Sequence, residues 1–139
     1  MIFEESVELV DINWLKAHEE VKEKRVEKLK EMTKRWGGYT KPLLVDSITG
    51  CILDGHHRHK VGLLLDLKRL PVILCDYLND DEIKLEVWPN CGKNNITKKE
   101  VIDMALSDDL FPPKTSRHFL PDNMPPIHVS LELLEKENY

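Results

Sequence analysis

The sequence predicts a mixed α/β domain, and three observations support that prediction. Short apolar runs that are typical of buried strands, at residues 51–54 and 72–77, alternate with segments of helical periodicity at 18–35 and 56–67. Clusters of glycine, proline, asparagine and aspartate separate these segments. A chain of 139 residues is the usual length of one domain. We therefore expect residues 1–139 to form one mixed sheet flanked by helices.

The first half of the chain is predicted to supply a strand, a long helix and a hairpin. Residues 6–10 alternate as a first strand, and residues 18–35 follow with apolar side chains at helical spacing. Acidic residues near the start of this helix and basic residues near its end suit the helix dipole, and Gly37 stops the helix. Strands at 42–46 and 51–54, joined by a turn, are expected to pair as a hairpin.

The second half is predicted to add a helix, two strands, a second helix and a last strand. The helix after Gly55 is expected to end near residue 67, and strands follow at 72–77 and 82–88. Thr97-Lys98-Lys99-Glu100 has the form of a capping box, which predicts a helix through residue 106. Alternating apolar residues at 127–133 predict a strand.

Composition limits the classes of function. The net charge of −5 argues against a general nucleic-acid binder, because neutralising phosphates needs a basic surface. The three cysteines form no Cys-x-x-Cys pair, which argues against a structural zinc site and favours a reducing compartment. The chain shows no signal-peptide pattern and no apolar run of membrane-spanning length. We therefore expect a cytoplasmic protein without a membrane partner.

One short stretch, Ile52-Leu53-Asp54-Gly55-His56-His57-Arg58, concentrates reactive groups where a strand ends and a helix begins. The N-terminus of a helix offers unpaired N–H groups to an anion, and Gly55 allows a tight turn or the close approach of a ligand. Basic residues in a first turn do not stabilise a helix, so an anionic ligand would explain them. The alternative is a solvated turn without a ligand.

Two further groups stand outside the apolar pattern: a basic cluster at 114–118 and His18-Glu19-Glu20. Two cationic clusters and isolated carboxylates in an acidic protein indicate a polyphosphate bound with a divalent metal. Asp54 is the best candidate to bind magnesium, and Glu19 or Glu20 could orient the nucleophile in a phosphoryl transfer. Alternatively, the carboxylates only favour a helix start and the cluster is a solvated linker. Trp88 either packs beside the core or lines a pocket.

The chain resembles the ParB/sulfiredoxin-like superfamily and, within it, the free L-serine kinases. The resemblance rests on the Asp54–Arg58 motif, on Phe-Pro-Pro-Lys-Thr-Ser-Arg-His at 111–118, and on shorter matches at 15–19, 41–45 and 87–88. It implies a single ParB/sulfiredoxin-like kinase domain that phosphorylates L-serine to O-phospho-L-serine with ATP or ADP and Mg²⁺. That product would feed cysteine and serine metabolism.

The resemblance also implies roles for individual residues. Glu19, directly after His18, would be the catalytic base, and Asp54 would hold magnesium or assist at the nucleophile. The serine would be bound by Trp88, Thr115 and Glu20. The nucleotide phosphates would be bound by residues of both basic clusters, namely Gly55, His56, His57, Arg58, Lys114, Thr115, Ser116, Arg117 and His118.

Other branches of the superfamily fit the sequence less well. Sulfiredoxin-like enzymes need a cysteine in the motif, and His56 occupies that position here. Chromosome-partitioning ParB proteins carry a helix-turn-helix domain after this module, which we do not expect in a chain that ends at Tyr139. Two alternatives to a serine kinase stay open: a non-catalytic nucleotide-binding ParB-like module with a regulatory or DNA-associated role, and a kinase for another small hydroxyl compound.

Overall fold

Four strands form the central sheet of the computed structural model, which describes residues 7–80, 83–87, 95–107, 109–111, 116–119 (with the side chain of His118) and 126–136. Their order is β1 (Val7–Asp11), β5 (Arg69–Cys75), β3 (Leu43–Asp46) and β4 (Ile52–Asp54). The pairs β1/β5 and β3/β4 are antiparallel, whereas β3/β5 is parallel. The predicted mixed sheet and the predicted hairpin are both confirmed.

Both faces of this sheet are buried, which explains why its strands are apolar at successive positions. Leu43 and Val45 on β3 join one apolar cluster with Leu134, and the intervening Leu44 joins a second cluster with Val101. The period of two along a strand thus distributes neighbouring residues between two cores.

The described residues include four α-helices. They are α1 (Glu23–Trp36), α2 (His56–Leu64), α3 (Lys98–Ala105) and α4 (Leu131–Leu134), and a 3₁₀ turn follows β1 at Ile12–Trp14. The capping box predicted for α3 is confirmed, because Thr97 accepts from the Glu100 N–H and the Glu100 carboxylate accepts from the Thr97 N–H. Within the described ranges the longest helix has 14 residues, and none has the length and apolar character needed to cross a membrane.

Two short ribbons complete the fold. β2 (Gly38–Tyr39) pairs with β8 (Val129–Ser130), and β6 (Lys84–Val87) pairs with β7 (Ser116–Phe119), both antiparallel. In the second ribbon His118 lies opposite Leu85. The end of the second basic cluster is therefore strand, although the sequence predicted a loop.

The predicted start of the first long helix is wrong. The helix begins at Glu23, and residues 18–20 instead pair with Phe111. The Phe111 N–H donates to the His18 carbonyl at 2.8 Å, and the Glu20 N–H donates to the Phe111 carbonyl at 2.7 Å. Glu19 and Glu20 therefore precede the helix, because pairing with a residue distant in sequence prevailed over local propensity.

The predicted last strand is also wrong beyond residue 130. The Ser130 hydroxyl accepts a hydrogen bond from the Leu133 N–H at 3.3 Å and so caps α4, and the Leu134 side chain is fully buried. Serine is a preferred helix N-cap, which outweighs a four-residue alternation of apolar side chains.

Candidate active site

The candidate site is built at the junction between β4 and α2. Gly55 joins them with a φ of 113°, and a Cβ atom at this position would lie 2.7 Å from Leu43 Cγ. Only glycine fits such a backbone in so little space. As the N-cap of α2, Gly55 also has no side chain to bond the first-turn N–H groups. The first-turn N–H groups of α2 therefore have no side-chain cap, and such groups can bind an anion.

A charged pair lies at the exposed side of this junction. An Arg58 Nη2 atom is 3.4 Å from Asp54 Oδ2, and the Asp54 side chain is 58% exposed. The Tyr39 hydroxyl donates to the Arg58 backbone carbonyl at 2.5 Å, which ties the helix to β2. The Arg58 side chain is only 18% exposed, so the Asp54 carboxylate is the part of this pair that is open to a ligand.

The opposite, buried side of the junction holds three imidazoles, which we call the imidazole cluster: His18, His56 and His118. The His18 ring centroid lies 4.5 Å from that of His56 and 6.0 Å from that of His118. His18 is fully buried. The Tyr77 hydroxyl is 2.7 Å from His118 Nε2, and Cys51 Sγ is 3.8 Å from His18 Nδ1. The cluster therefore links α2 to the β6/β7 ribbon.

Burial makes these imidazoles neutral at physiological pH. Desolvation, with a smaller effect of His118, lowers the pKa of His18 to about 3 despite a hydrogen bond with the Ile52 backbone. Desolvation also lowers the pKa of His118 to about 4, although a hydrogen bond with the Leu53 backbone acts to raise that pKa. The pKa of His56 is lowered well below its usual value for the same reason. The cluster thus contributes hydrogen-bonding groups and no charge.

The segment that carries Glu19 crosses the first turn of α2. The His18 N–H donates to His56 Nε2, and the Lys22 N–H donates to His57 Nε2, each at 3.2 Å. Glu19 lies between these two contacts and pairs with Phe111 on its other side. Together with the contact between His18 and His118, these contacts bring described members of all three groups that the sequence singled out to the same junction.

The structure describes only some of the other predicted site residues. Glu20 is exposed and lies next to Glu19. Trp88, Lys114 and Thr115 lie outside the described residues. Ser116 and Arg117 lie on β7, where only their backbone is described, and β7 contacts the segment before α1 through His118 and His18.

The sequence analysis missed two residues of the buried side. Tyr77 was predicted only as the end of a buried strand, and Cys51 only as a small core residue. Both lie against imidazoles of the cluster. The signal available for Tyr77 was a hydroxyl inside an apolar run, since a buried tyrosine O–H needs a hydrogen-bond partner.

The donor set at the junction suits magnesium bound together with phosphates. Over the described part of the chain, no group of three or more histidine, cysteine, aspartate or glutamate side chains could hold a metal ion. Mg²⁺ often binds one or two carboxylates and takes its other ligands from water and substrate phosphates. The exposed Asp54 carboxylate, next to a helix start that suits an anion, fits that requirement.

Comparison with known sequences finds relatives named as serine kinases. The chain is 30% identical over 105 residues to the ADP-dependent L-serine kinase SerK of Thermococcus kodakarensis, covering 73% of this chain and 42% of that protein. It is 34% identical over 84 residues to an ATP-dependent L-serine kinase of Staphylothermus marinus, covering 58% and 33%. It is also 40% identical over 47 residues to a ParB-like protein of Sulfolobus acidocaldarius, covering 34% and 23%. No family model matches the chain.

Comparison with solved structures finds the same fold. A free serine kinase in complex with AMP superposes with a TM-score of 0.83 at 20% identity, covering 92% of this chain and 93% of that one. SbnI of Staphylococcus aureus, truncated at its C-terminus, gives a TM-score of 0.82 at 14% identity, covering 97% and 91%.

The sequence matches span only part of the relatives. The chain matches 33% and 42% of the length of the two serine kinases. The matched parts nevertheless include most of this chain for SerK, and the structural match spans 92% of this chain. The resemblance predicted from the motifs is therefore confirmed: this chain is a relative of the L-serine kinases and has the fold of a free serine kinase.

Proposed function

We propose that this chain is a free L-serine kinase that transfers the terminal phosphoryl group of ATP or ADP to the serine hydroxyl. The products would be O-phospho-L-serine, for use in cysteine and serine metabolism, and the shortened nucleotide. The names of the curated relatives and the fold shared with nucleotide-bound free serine kinases support the proposal. The observation that carries it is the position of Glu19, on a segment that crosses an anion-binding helix start.

Glu19 is proposed as the general base. Its carboxylate would take the proton of the serine hydroxyl while the hydroxyl oxygen attacks the terminal phosphorus and the bond to the leaving phosphate oxygen breaks. Such a base typically contributes about 10²–10⁴-fold to the rate, and positioning and charge stabilisation supply most of the rest. Glu20 is proposed to contact the serine, together with Trp88 and Thr115.

The nucleotide phosphates are proposed to bind the N–H groups after Gly55, the Arg58 guanidinium, and Lys114, Thr115, Ser116 and Arg117. Arginine binds phosphate with two parallel hydrogen bonds, and lysine binds it as a point charge. Asp54 would hold Mg²⁺, which supplies neutralising charge to the phosphates.

The phosphate contacts predicted for the histidines face a geometric constraint. The Nε2 atoms of His56 and His57 already accept backbone N–H groups, and that of His118 bonds Tyr77. Any contact of these rings with phosphate would need Nδ1 or the exchange of a present partner. Their role at the phosphates stays a prediction, as does the cytoplasmic location.

Phosphorus NMR tests the proposed function directly. The purified protein is incubated with Mg²⁺ and L-serine, and with ATP or ADP in separate samples. An O-phosphoserine resonance identifies both the activity and the donor. Intact nucleotide in both samples would contradict a serine kinase, and a panel of other small hydroxyl compounds would then test the second kinase alternative. Binding of nucleotide without turnover of any acceptor would favour the non-catalytic module.

A further inference from the structure

Two neighbouring histidines of α2 accept hydrogen bonds from the backbone on either side of Glu19. His56 Nε2 accepts the His18 N–H and His57 Nε2 accepts the Lys22 N–H, both at 3.2 Å. Lys22 is the N-cap of α1, so its N–H has no partner within its own helix. These contacts hold the segment immediately before and shortly after Glu19 against α2, while the backbone bridge with Phe111 holds Glu19 on its other side.

We infer that His56 and His57 are positioning residues, which hold the backbone of residues 18–22 and thereby place the Glu19 carboxylate over the start of α2. This inference rests on the proposed function for its kinetic consequence, although the two hydrogen bonds do not depend on that function. It assigns to the His-His pair of the motif a role that differs from gripping phosphate.

The chemistry of the imidazole separates the two roles. A neutral ring has one nitrogen that accepts and one that donates, and a nitrogen that accepts a backbone N–H carries no proton. A nitrogen that binds phosphate must donate a proton. The same Nε2 atom cannot do both, so a phosphate contact would have to use the protonated Nδ1. Loss of the positioning bond would change the exchange of the Lys22 amide, whereas loss of a phosphate contact would change the nucleotide Kd.

His57 is the better of the two for a test, because it is half-buried whereas His56 is buried. His57→Gln places an amide oxygen near the position of Nε2 and so keeps an acceptor, whereas His57→Ala removes it. His59→Gln, which replaces another half-buried imidazole on the same helix, is the matched control. All four proteins are compared by amide hydrogen exchange, nucleotide binding and steady-state kinetics.

We expect His57→Ala to exchange the Lys22 amide about tenfold faster, on the scale of one hydrogen bond. We also expect kcat to fall by roughly 10–100-fold, because a small displacement of a catalytic group costs that much. The nucleotide Kd should stay unchanged, and His57→Gln should restore most of the protection and most of kcat. His59→Gln should leave the Lys22 amide exchange and kcat as in the wild type.

Two results would overturn the inference. One is an unchanged Lys22 exchange rate in His57→Ala, and the other is a raised nucleotide Kd that glutamine does not restore, which would indicate a phosphate ligand. If the wild type makes no phosphoserine, the proposed function fails, but the exchange rate of the Lys22 amide still decides whether His57 holds this segment.

Discussion

The start of α2 has two sides that differ in almost every physical respect. On the buried side, His18 and His56 pack ring to ring away from water and are neutral. On the exposed side, Asp54 and Arg58 form a charged pair with a carboxylate that is 58% exposed. The buried side therefore fixes the shape of the junction, and the exposed side is where a charged ligand can be bound. Substitutions on the two sides should accordingly change different measurements.

The largest effect is expected for Glu19, which lies between the two backbone contacts with the first turn of α2. Glu19→Gln should lower kcat for serine phosphorylation by about 10²–10⁴-fold, the usual contribution of a general base, while nucleotide affinity stays within a factor of about two. Steady-state kinetics and calorimetric nucleotide titration measure the two quantities.

Glu20→Gln is the matched control for that substitution, because it removes the neighbouring, exposed carboxylate. We expect it to raise the KM for serine and to change kcat little. If Glu20→Gln loses turnover and Glu19→Gln keeps it, the assignment of Glu19 as the base is wrong.

The geometry of the junction itself is tested at Gly55. Gly55→Ala adds a Cβ atom at 2.7 Å from Leu43 Cγ on a backbone with φ of 113°, so strain and overpacking should combine to destabilise the fold by about 4 kcal/mol. Gly37→Ala is the control: its φ is also positive, at 73°, but a Cβ atom there meets nothing within 4 Å. It should cost only about 1 kcal/mol. Urea unfolding measures both, and equal losses would contradict a crowded junction.

The buried side should make stability depend on pH. In the unfolded chain His18 binds a proton near pH 6.5, whereas in the folded protein its pKa is about 3. The unfolded state therefore binds more protons between these values, so stability is complete above about pH 6.5 and falls as the pH decreases toward 3. At about 1.36 kcal/mol per pH unit, His18 alone should remove about 3 kcal/mol between about pH 7 and pH 4.

The variant His18→Gln isolates that contribution, because the groups that face this ring, His56, His118 and Cys51, stay in place. Urea unfolding at about pH 7 and pH 4 should show a dependence on pH that is smaller by about 3 kcal/mol in the variant. His128→Gln, at an exposed histidine outside the cluster, is the control. An undiminished dependence in His18→Gln would contradict a neutral, buried His18.

The sequence predicted most of the fold because local signals agreed with the tertiary structure. The apolar runs of β3, β4 and β5, the glycine before α2 and the capping box of α3 each specify an element within a few residues. The two errors have different causes. Residues 18–20 pair with Phe111, a distant partner that no window of local sequence contains. The error after residue 130 is local, because the N-cap preference of Ser130 prevailed over a short alternation of apolar side chains.

The sequence predicted which residues belong to the candidate site better than it predicted the contacts between them. The motif and its position at a strand-to-helix junction were predictable, because a glycine between an apolar run and a helical pattern is typical of a turn between a strand and a helix. The proximity of Tyr77 to His118 and of Cys51 to His18 was not, since the members of these pairs are 41 and 33 residues apart in the sequence and meet only through the tertiary structure. The neutral state of the imidazoles follows from that burial and could not be predicted from composition.

The smallest effect is expected on the exposed side, at Arg58. Arg58→Ala should raise the nucleotide Kd about tenfold, the scale of one charge-assisted hydrogen bond. The Kd of Arg58→Lys should lie between those of the wild type and Arg58→Ala, because lysine keeps the charge but lacks the planar guanidinium. The lost ion pair should by itself cost less than about 1 kcal/mol of stability, because the Asp54 carboxylate is 58% exposed, and the lost packing of the Arg58 side chain, which is 18% exposed, adds to that cost. Lys60→Ala, which removes an exposed positive charge from the same helix, should leave the Kd within a factor of about two. If both variants weaken binding equally, the net charge of α2 and not the Arg58 guanidinium attracts the nucleotide, and the difference between the two sides of the junction would then be one of solvent exposure alone.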